Sequence, residues 1–363
     1  MLDRQTLLSL GAVAIVGCGA RTAIGANARA TFELLRTGIG GLKKHRSLRL
    51  KRTGGPITLA LDPTLPPGLP LIGRMEELAL SAAREALAAG GTAGLPLGLL
   101  LATPHPRPGA DKAACRQMAI SFLDRLGENV SKRHCRTIPF GNEGGLAAIF
   151  QAMQWLNSRE IGACLVGGVE SPADLAYLDW LDEQKRLKGE ERPFGYLPGE
   201  GAGFLLLVPA PTVSRLPTAP LAWIAGLARA LEPSPWYTQQ PGRAVGLTKA
   251  IAELFTPPAL KRFRADVVYS DLNGEPWRAD EWMPAYIRTA DHHGEPLHMR
   301  HPADAWGDVG AGSGTLLAVM AALEVAHPRM RSQSALVFTA SDLSPARAAS
   351  LIVAEKGAVG TWQ

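Results

Sequence analysis

The groups able to do chemistry are few and unevenly spaced. Glu143, Asp271 and Asp308 are carboxylates beside glycine-rich corners or strand ends. They could form an acidic pocket for a cation or a cationic ligand, although carboxylates without regular spacing more often serve as hydrogen-bonded structural groups. His292, His293, His298 and His301 gather in a Gly/Pro-containing loop. No pair has the tight helical spacing of a metal centre, so surface histidines are the plainer reading and no metal is expected. Cys135 follows His134 and offers a thiol beside an imidazole. Neighbouring strand residues point to opposite faces, so the two diverge and a buried thiol is favoured over a nucleophile. The segment Phe140–Gln151, FGNEGGLAAIFQ, runs from a strand end through a glycine corner into an apolar-periodic helix. Such a corner lifts a side chain to a helix N-terminus, where N–H groups and the dipole favour a nucleophile or an anion.

Strands and helices alternate around this corner. Val13–Cys18 reads as a first buried strand, followed by a helix near Asn27–Thr37. Leu42–Pro70 reads as irregular, with a basic loop at Lys43–Arg52 and one short strand at Ile57–Leu61. A core helix is expected over Met75–Ala89, a continuous apolar strand at Leu97–Thr103 and a helix at Asp111–Leu126. Arg136–Phe140 leads into the corner, Gly144–Leu156 follows it as a helix, and Ala163–Val169 is a strand. Beyond the proline-rich joint Pro209–Pro220 the alternation restarts: a strand near Ala222–Ala230, a helix Arg243–Phe255, a strand Asp266–Ser270 and helices Ala279–Ala290 and Gly312–His327. Strands Ala335–Ala340 and Ala349–Val353 close the pattern. The restart implies two similar α/β halves, 1–211 and 212–363, without a residue-level repeat.

Composition narrows the classes. The 363 residues can bury a large core, and 46% hydrophobic with 20% charged residues is ordinary for a globular chain. The net charge of +5 is scattered, so no nucleic-acid partner is expected, and the basic run reads first as solvated surface. The four cysteines show no C-x-x-C spacing, as befits structural thiols in the cytoplasm. Arg4, the apolar run Leu7–Gly17 and Cys18 have the outline of a lipoprotein signal, but VAIVGCGA fits a buried strand and glycine turn better. No other run reaches the roughly 18 apolar residues of a membrane span. Gly17 and Gly19 lack the third glycine and later acid of a dinucleotide fingerprint, and no cofactor is expected.

Several segments together resemble the β-ketoacyl synthases of the thiolase-like superfamily. AIVGCGARTAIGANARATFELLRTGIGG looks like their opening strand, turn and helix, and Gly167-Gly168-Val169-Glu170-Ser171 like their Gly-Gly-x-Glu/Asp-Ser. ERPFGYLPGEGAGFLLLV carries the packing motif Gly199-Glu200-Gly201-Ala202-Gly203, whose glycines let backbones approach closely. The nucleophile corner of that family reads Cys-x-Ser-Gly-Leu-Ala-Ala. Gly145-Leu146-Ala147-Ala148 matches its tail and sets Asn142 at the cysteine. The resemblance implies a duplicated five-layered α/β/α/β/α fold and the acyl-transfer chemistry of fatty-acid and polyketide synthesis. It also implies pairing through the strand Leu97–Thr103 and loops near the corner.

The same resemblance implies that the chemistry is gone. With Glu281 at the acidic residue eleven positions after the family's first histidine, that histidine becomes Ser270. Asp308, before Gly310-Ala311-Gly312, takes the place of the second, and Ala303 that of the lysine. Asp342-Leu343-Ser344-Pro345 stands nearest to the oxyanion turn. An amide is no nucleophile, serine has no titration near neutrality, and a carboxylate repels a developing carbanion. Asn142, Glu143, Ser270, Asp271 and Asp308 would then line a vestigial pocket. The expected protein is a non-condensing pseudoenzyme that pairs with itself or with a ketosynthase-like homologue and can engage an acyl carrier protein. Alternatives are an acyltransferase or hydrolase with a relocated site, and an accessory factor for a bacterial secreted effector.

Overall fold

The computed structural model describes residues 1–356 except Thr53, Ala93, Glu191, Thr218 and Gln239, and the side chains of Arg46 and Ser47 are not described. Glu191, which heads the packing motif, and the end of the 212–363 half therefore lie outside the described residues. In chain order the first set of elements is α1 (Arg4–Ser9), β1 (Val13–Thr22), α2 (Ala28–Arg36), β2 (Leu42–Arg49), β3 (Pro56–Ala60), α3 (Leu71–Gly90), β4 (Leu97–Ala102), α4 (Lys112–Leu126), β5 (Val130–Ile138), α5 (Gly144–Asn157), β6 (Ala163–Glu170), α6 (Leu175–Glu183) and β7 (Gly201–Pro209). The second set is β8 (Ala222–Leu231), α7 (Val245–Leu254), β9 (Val267–Ser270), α8 (Pro276–Arg288), β10 (Met299–Arg300), α9 (Ala303–Trp306), α10 (Ser313–Ala326), β11 (Ser334–Ala340) and β12 (Ala346–Val353).

Ten strands form one sheet in the order β10-β9-β11-β12-β8-β1-β7-β6-β4-β5. Cut between β8 and β1, this is one pattern used twice. In each five, the second, third and fourth strands by sequence run parallel, and the fifth and first are antiparallel to their neighbours. The two first strands, β1 and β8, join the fives through a short antiparallel ladder at Val13–Ile15. β4 has the apolar run of a strand covered on both faces: Leu97, Leu99 and Leu101 enter one core and Leu100 the other.

Helices α5 and α10 fill the layer between the two fives, and all 14 residues of α10 are buried. A helix apolar all round is one with protein on every side. Helices α3, α4, α7 and α8 cover the outer faces. The five-layered α/β/α/β/α fold expected from the sequence is thus the fold observed.

Three expectations are corrected. Lys43–Arg52 is mostly not a loop: Leu42–Arg49 is strand β2, paired antiparallel with β3 from Leu42 opposite Ala60 to His45 opposite Ile57. Helix α6 was not read from the sequence; Asp174 caps it by accepting from Tyr177 N–H. Leu97–Thr103 cannot be a pairing edge, because β4 lies between β5 and β6 with both of its hydrogen-bonding sides occupied. The outer strand of that half is β5.

The packing motif works as its glycines require. A Cβ on Gly199 would collide with the Trp306 carbonyl, and one on Gly203 would sit 2.7 Å from Leu316 N. Glu200 between them is fully buried, receives Arg74 on both oxygens and accepts from Asp62 N–H at 2.7 Å. Gly199→Ala should therefore cost about 1–3 kcal/mol, the usual penalty of forced overpacking. Gly68→Ala, where nothing lies within 4 Å, should stay within about 0.5 kcal/mol. Urea unfolding of the two variants checks this, and equal midpoints would refute the packing role.

Candidate functional site

Two corners of the same design meet at the centre of the molecule. After β5 the chain turns at Gly141, whose φ of +57° suits glycine, passes through a 3-10 turn at Gly141–Glu143 and enters α5. After α9 it turns at Gly310, with φ +43°, passes through a 3-10 turn at Gly310–Gly312 and enters α10. The helix starts touch through glycine. A Cβ on Gly145 would lie 2.6 Å from Thr315 N, and one on Gly314 would lie 2.7 Å from Leu146 N. Gly312 is equally confined, 2.9 Å from the carbonyl of Gly201.

Asp308 is the acceptor on which both corners converge. Its Oδ1 accepts from Asn142 Nδ2 at 2.9 Å and from Gly310 N–H at 2.7 Å. Its Oδ2 accepts from Asn273 Nδ2 at 2.6 Å and from Asn142 Nδ2 at 3.2 Å. A carboxylate only accepts, so both amide groups present their NH2 to it. The Asp308 backbone is held as well: its N–H donates to Leu197 O at 2.7 Å, and its carbonyl accepts from Gly199 N–H at 2.8 Å. The packing motif therefore positions this residue directly.

Behind Asp308 lies a buried ion network. Arg278 donates to Asp271 at 2.6 Å and to the Ala340 carbonyl at 3.0 Å, with Asp308 3.8 Å away. Arg186 grips Glu275 through two bonds of 2.7 and 2.9 Å and Asp342 through one of 2.9 Å. Asn273 Nδ2 also reaches Glu275 at 3.1 Å, which links the two arginines into one web. Trp277 faces the Arg278 guanidinium at 4.4 Å, and Trp236 faces that of Arg186 at 5.3 Å. Burial pushes the Asp308 and Asp271 carboxyls up, Asp271 to about 6, against the pull of Arg278. Burial also raises Asp342, but Arg186 and Arg278 outweigh it and hold that carboxyl below the usual range.

The remaining positions separate. Ser270 is buried outside this hub, its hydroxyl 3.4 Å from the Arg300 carbonyl. The side chain from this segment that donates to Asp308 is Asn273, three residues on. Glu281, from which the Ser270 position is counted, is itself held by the buried Arg347. Glu143 turns away to Arg229, which grips both its oxygens. Glu143, Asp271 and Asp308 thus form no open acidic pocket, since each faces its own donors. The space beside Ser270, Asp271 and Asp308 is a cavity of about 10 Å³, at or below what one water needs.

The other candidates are also dispersed. His134 is buried edge-on to Trp155 with Ser131 and Glu160 as partners, whereas Cys135 belongs to the opposite core with its thiol pushed up by burial. His292 stacks on Phe255, His293 is buried against Thr289, and His301 pairs with Asp304 3.2 Å away. Among the described residues no group of three or more His, Cys, Asp or Glu could hold a metal. Sequence reasoning missed Asn273, Glu275 and Arg278, all within the single segment NGEPWR, and the distant Arg186. Two opposite charges three residues apart, directly after an Asn-Gly pair, were the available signal.

No protein-family model matches the sequence, and no curated protein does. Solved structures match along nearly its whole length. A structure of a type II polyketide synthase acyl-carrier protein in complex with its ketosynthase bound to the hexaketide gives a TM-score of 0.75 at 16% identity, covering 94% of this chain and 99% of that one. The ishigamide ketosynthase/chain length factor gives 0.73 at 16% identity over 94% and 98% of the two chains. An oxazolomycin ketosynthase domain of Streptomyces albus JA3453 gives 0.77 at 13% identity over 94% and 74%. The chain has the thiolase-like fold of the ketosynthases.

The network makes two measurable statements. Arg186→Met would leave Glu275 and Asp342 buried without their cation and should cost about 3–5 kcal/mol in urea unfolding. A loss under about 1 kcal/mol would show that the pair contributes little. Asp271 has a folded-state value raised above its ordinary one, so the stability it contributes is complete below about pH 4 and is lost as pH rises through about 6. Asp271→Asn cannot ionise, so its melting temperature should gain on wild type between pH 4 and 6.5. Parallel curves would contradict the shift.

Proposed function

We infer that this chain is a ketosynthase-fold protein that carries out no condensation and acts as a subunit or accessory of another acyl-processing protein. One observation carries the reading. The side chain that the corner presents, Asn142, is an amide spent on donating to Asp308, and the space beside Asp308 holds no substrate. A condensing centre needs a polarizable nucleophile and underused donors aimed at developing charge. Here the donors already serve a carboxylate, whose charge opposes a carbanion. The hydroxyl–imidazole pair beside the Gly141 corner is His105 Nε2 and Ser341 Oγ, 3.3 Å apart. That serine is fully buried and accepts from Ser344 N–H, which is the role of a turn residue.

A heterotypic partner is favoured over a second copy. β5 ends the sheet, and its charged residues Lys132, Arg133 and Arg136 are all cations. Self-pairing of this strand about a twofold would set like charges against each other, which destabilises a ladder, while an acidic strand would complement it. The ishigamide ketosynthase/chain length factor carries two chain types in its name, and pairing of that kind fits this edge. An acyl carrier protein as a transient partner fits the same reading.

Intact-mass measurement after incubation with acyl-CoA and acyl-carrier donors should show the unmodified chain, both for wild type and for Asn142→Cys, whose thiol would sit beside the Asp308 carboxylate, a charge that opposes its ionisation. A covalent acyl adduct on wild type that survives Cys135→Ala would overturn the non-condensing reading. Light scattering at micromolar concentration should give a monomer. A stable homodimer lost on Lys132→Ala/Arg136→Ala would overturn the heterotypic part.

A further inference from the structure

A second cavity lies away from the Asp308 centre, between the β2–β3 hairpin and the turn at 187–192. Its volume is about 530 Å³, within the range of small-molecule sites. Leu50, Ile57 and Leu187 supply an apolar floor that belongs to a small core of its own, together with Tyr177, Leu181 and Tyr196. Four cations stand around it: Lys44, Arg52, Lys188 and Arg192.

The cations differ in their commitments. Arg52 donates to both oxygens of Asp182 at 2.8 Å, and Lys44 lies 3.5 Å from Glu190. Both carboxylates at the cavity are therefore already engaged. Lys188 and Arg192 have no carboxylate within ion-pair distance among the described residues; Arg192 touches only the Leu187 carbonyl, at 3.3 Å. Their separation is set by backbone, because Gly189 and Arg192 exchange hydrogen bonds of 2.9 and 3.0 Å and Lys188 N–H donates to Tyr196 O at 3.0 Å. Two cations without a carboxylate partner among the described residues are thus fixed on one turn above an apolar surface. Nothing in the Asp308 web uses them.

We propose that this cavity binds an amphiphile with an anionic head on an aliphatic chain, the head held by Lys188 and Arg192 and the chain laid on Leu50 and Ile57. Charge selects the head and the floor selects the chain. A free phosphate lacks the second feature and a neutral lipid the first. The head is a carboxylate or a phosphate, and the two sources, a free fatty acid and an acyl thioester of a phosphate-bearing carrier, share that chemistry. The site is independent of whether the chain pairs with another protein, because no residue of β5 lines it, and it meets the Asp308 centre only through the backbone of Leu197.

Calorimetric titration of the full chain with decanoate, decyl phosphate, decanol and inorganic phosphate tests it. At least one anionic amphiphile should bind saturably, with decanol and inorganic phosphate at least about tenfold weaker. Lys188→Glu/Arg192→Glu should lose about tenfold in affinity with an unchanged thermal melt. If charge reversal disturbs folding, Lys188→Gln/Arg192→Gln should still weaken binding several-fold. Displacement of decanoate by decanoyl-CoA would assign the carrier phosphates as the head, and failure to displace would assign the free carboxylate. Equal binding of decanol, affinity untouched in the folded variants, or no saturable binding of any amphiphile would overturn the proposal.

Discussion

The rest of the molecule depends on the contact between the first turns of α5 and α10. Neither Gly145 nor Gly314 could carry a side chain without driving into the facing backbone. At that distance the two corners lie within reach of one shared side chain, so Asp308 just before one corner can accept from Asn142 inside the other. The contact also fixes the layers. Both five-stranded sets lean on the same helix pair, and the ten-stranded sheet closes around it. Loss of either glycine would move the sheets as well as the centre, since close-packed interiors transmit displacement.

Polar groups buried by this arrangement must find partners, and that requirement accounts for the web around Asp308. An isolated buried carboxylate is costly; one with three or four donors is tolerable. Asp271, Glu275, Asp308 and Asp342 are served by two arginines, two asparagines and backbone N–H groups. Such a web adds little net stability compared with an apolar filling, but removal of one member is expensive because the others lose their compensation. It resists piecemeal change. Its outer members are less fully served: Asp271 Oδ1 and the Arg278 Nε and Nη2 atoms are buried without a hydrogen-bond partner among the described residues.

Much of the fold was legible because burial writes itself into composition. Strands covered on both faces are continuous apolar runs, as at β4, and helices packed on every side are apolar throughout, as at α10. The duplicated order of elements was legible, but the residue-level echo between the two corners was not. Gly141 and Gly310 resemble each other in φ, while their neighbours Asn142 and Ala311 share no chemistry. At the centre, Asn142 and Asp308 were legible because rigid glycine corners fix their positions. Asn273 was not legible because it lies in the loop after β9, and a loop has no periodicity to say which of its side chains turns inward. β2 was missed because a strand carrying Lys43, Lys44 and Arg49 on a two-stranded ribbon has little buried face to show.

The packing motif joins these scales. Leu197 and Gly199 bind the Asp308 backbone from one side, while Glu200 locks the same stretch to Arg74 and Asp62. Ten residues earlier along the loop, Arg186 enters the ion web and Leu187 floors the outer cavity. The loop is thus pinned at both ends to the buried centre, and the turn with Lys188 and Arg192 faces outward together with Phe194. A short turn held by two buried anchors can present charge at low entropic cost, because its backbone is ordered before anything binds. The buried centre has a structural consequence in this sense: its ion web holds rigid a loop whose Lys188 and Arg192 have no carboxylate partner among the described residues.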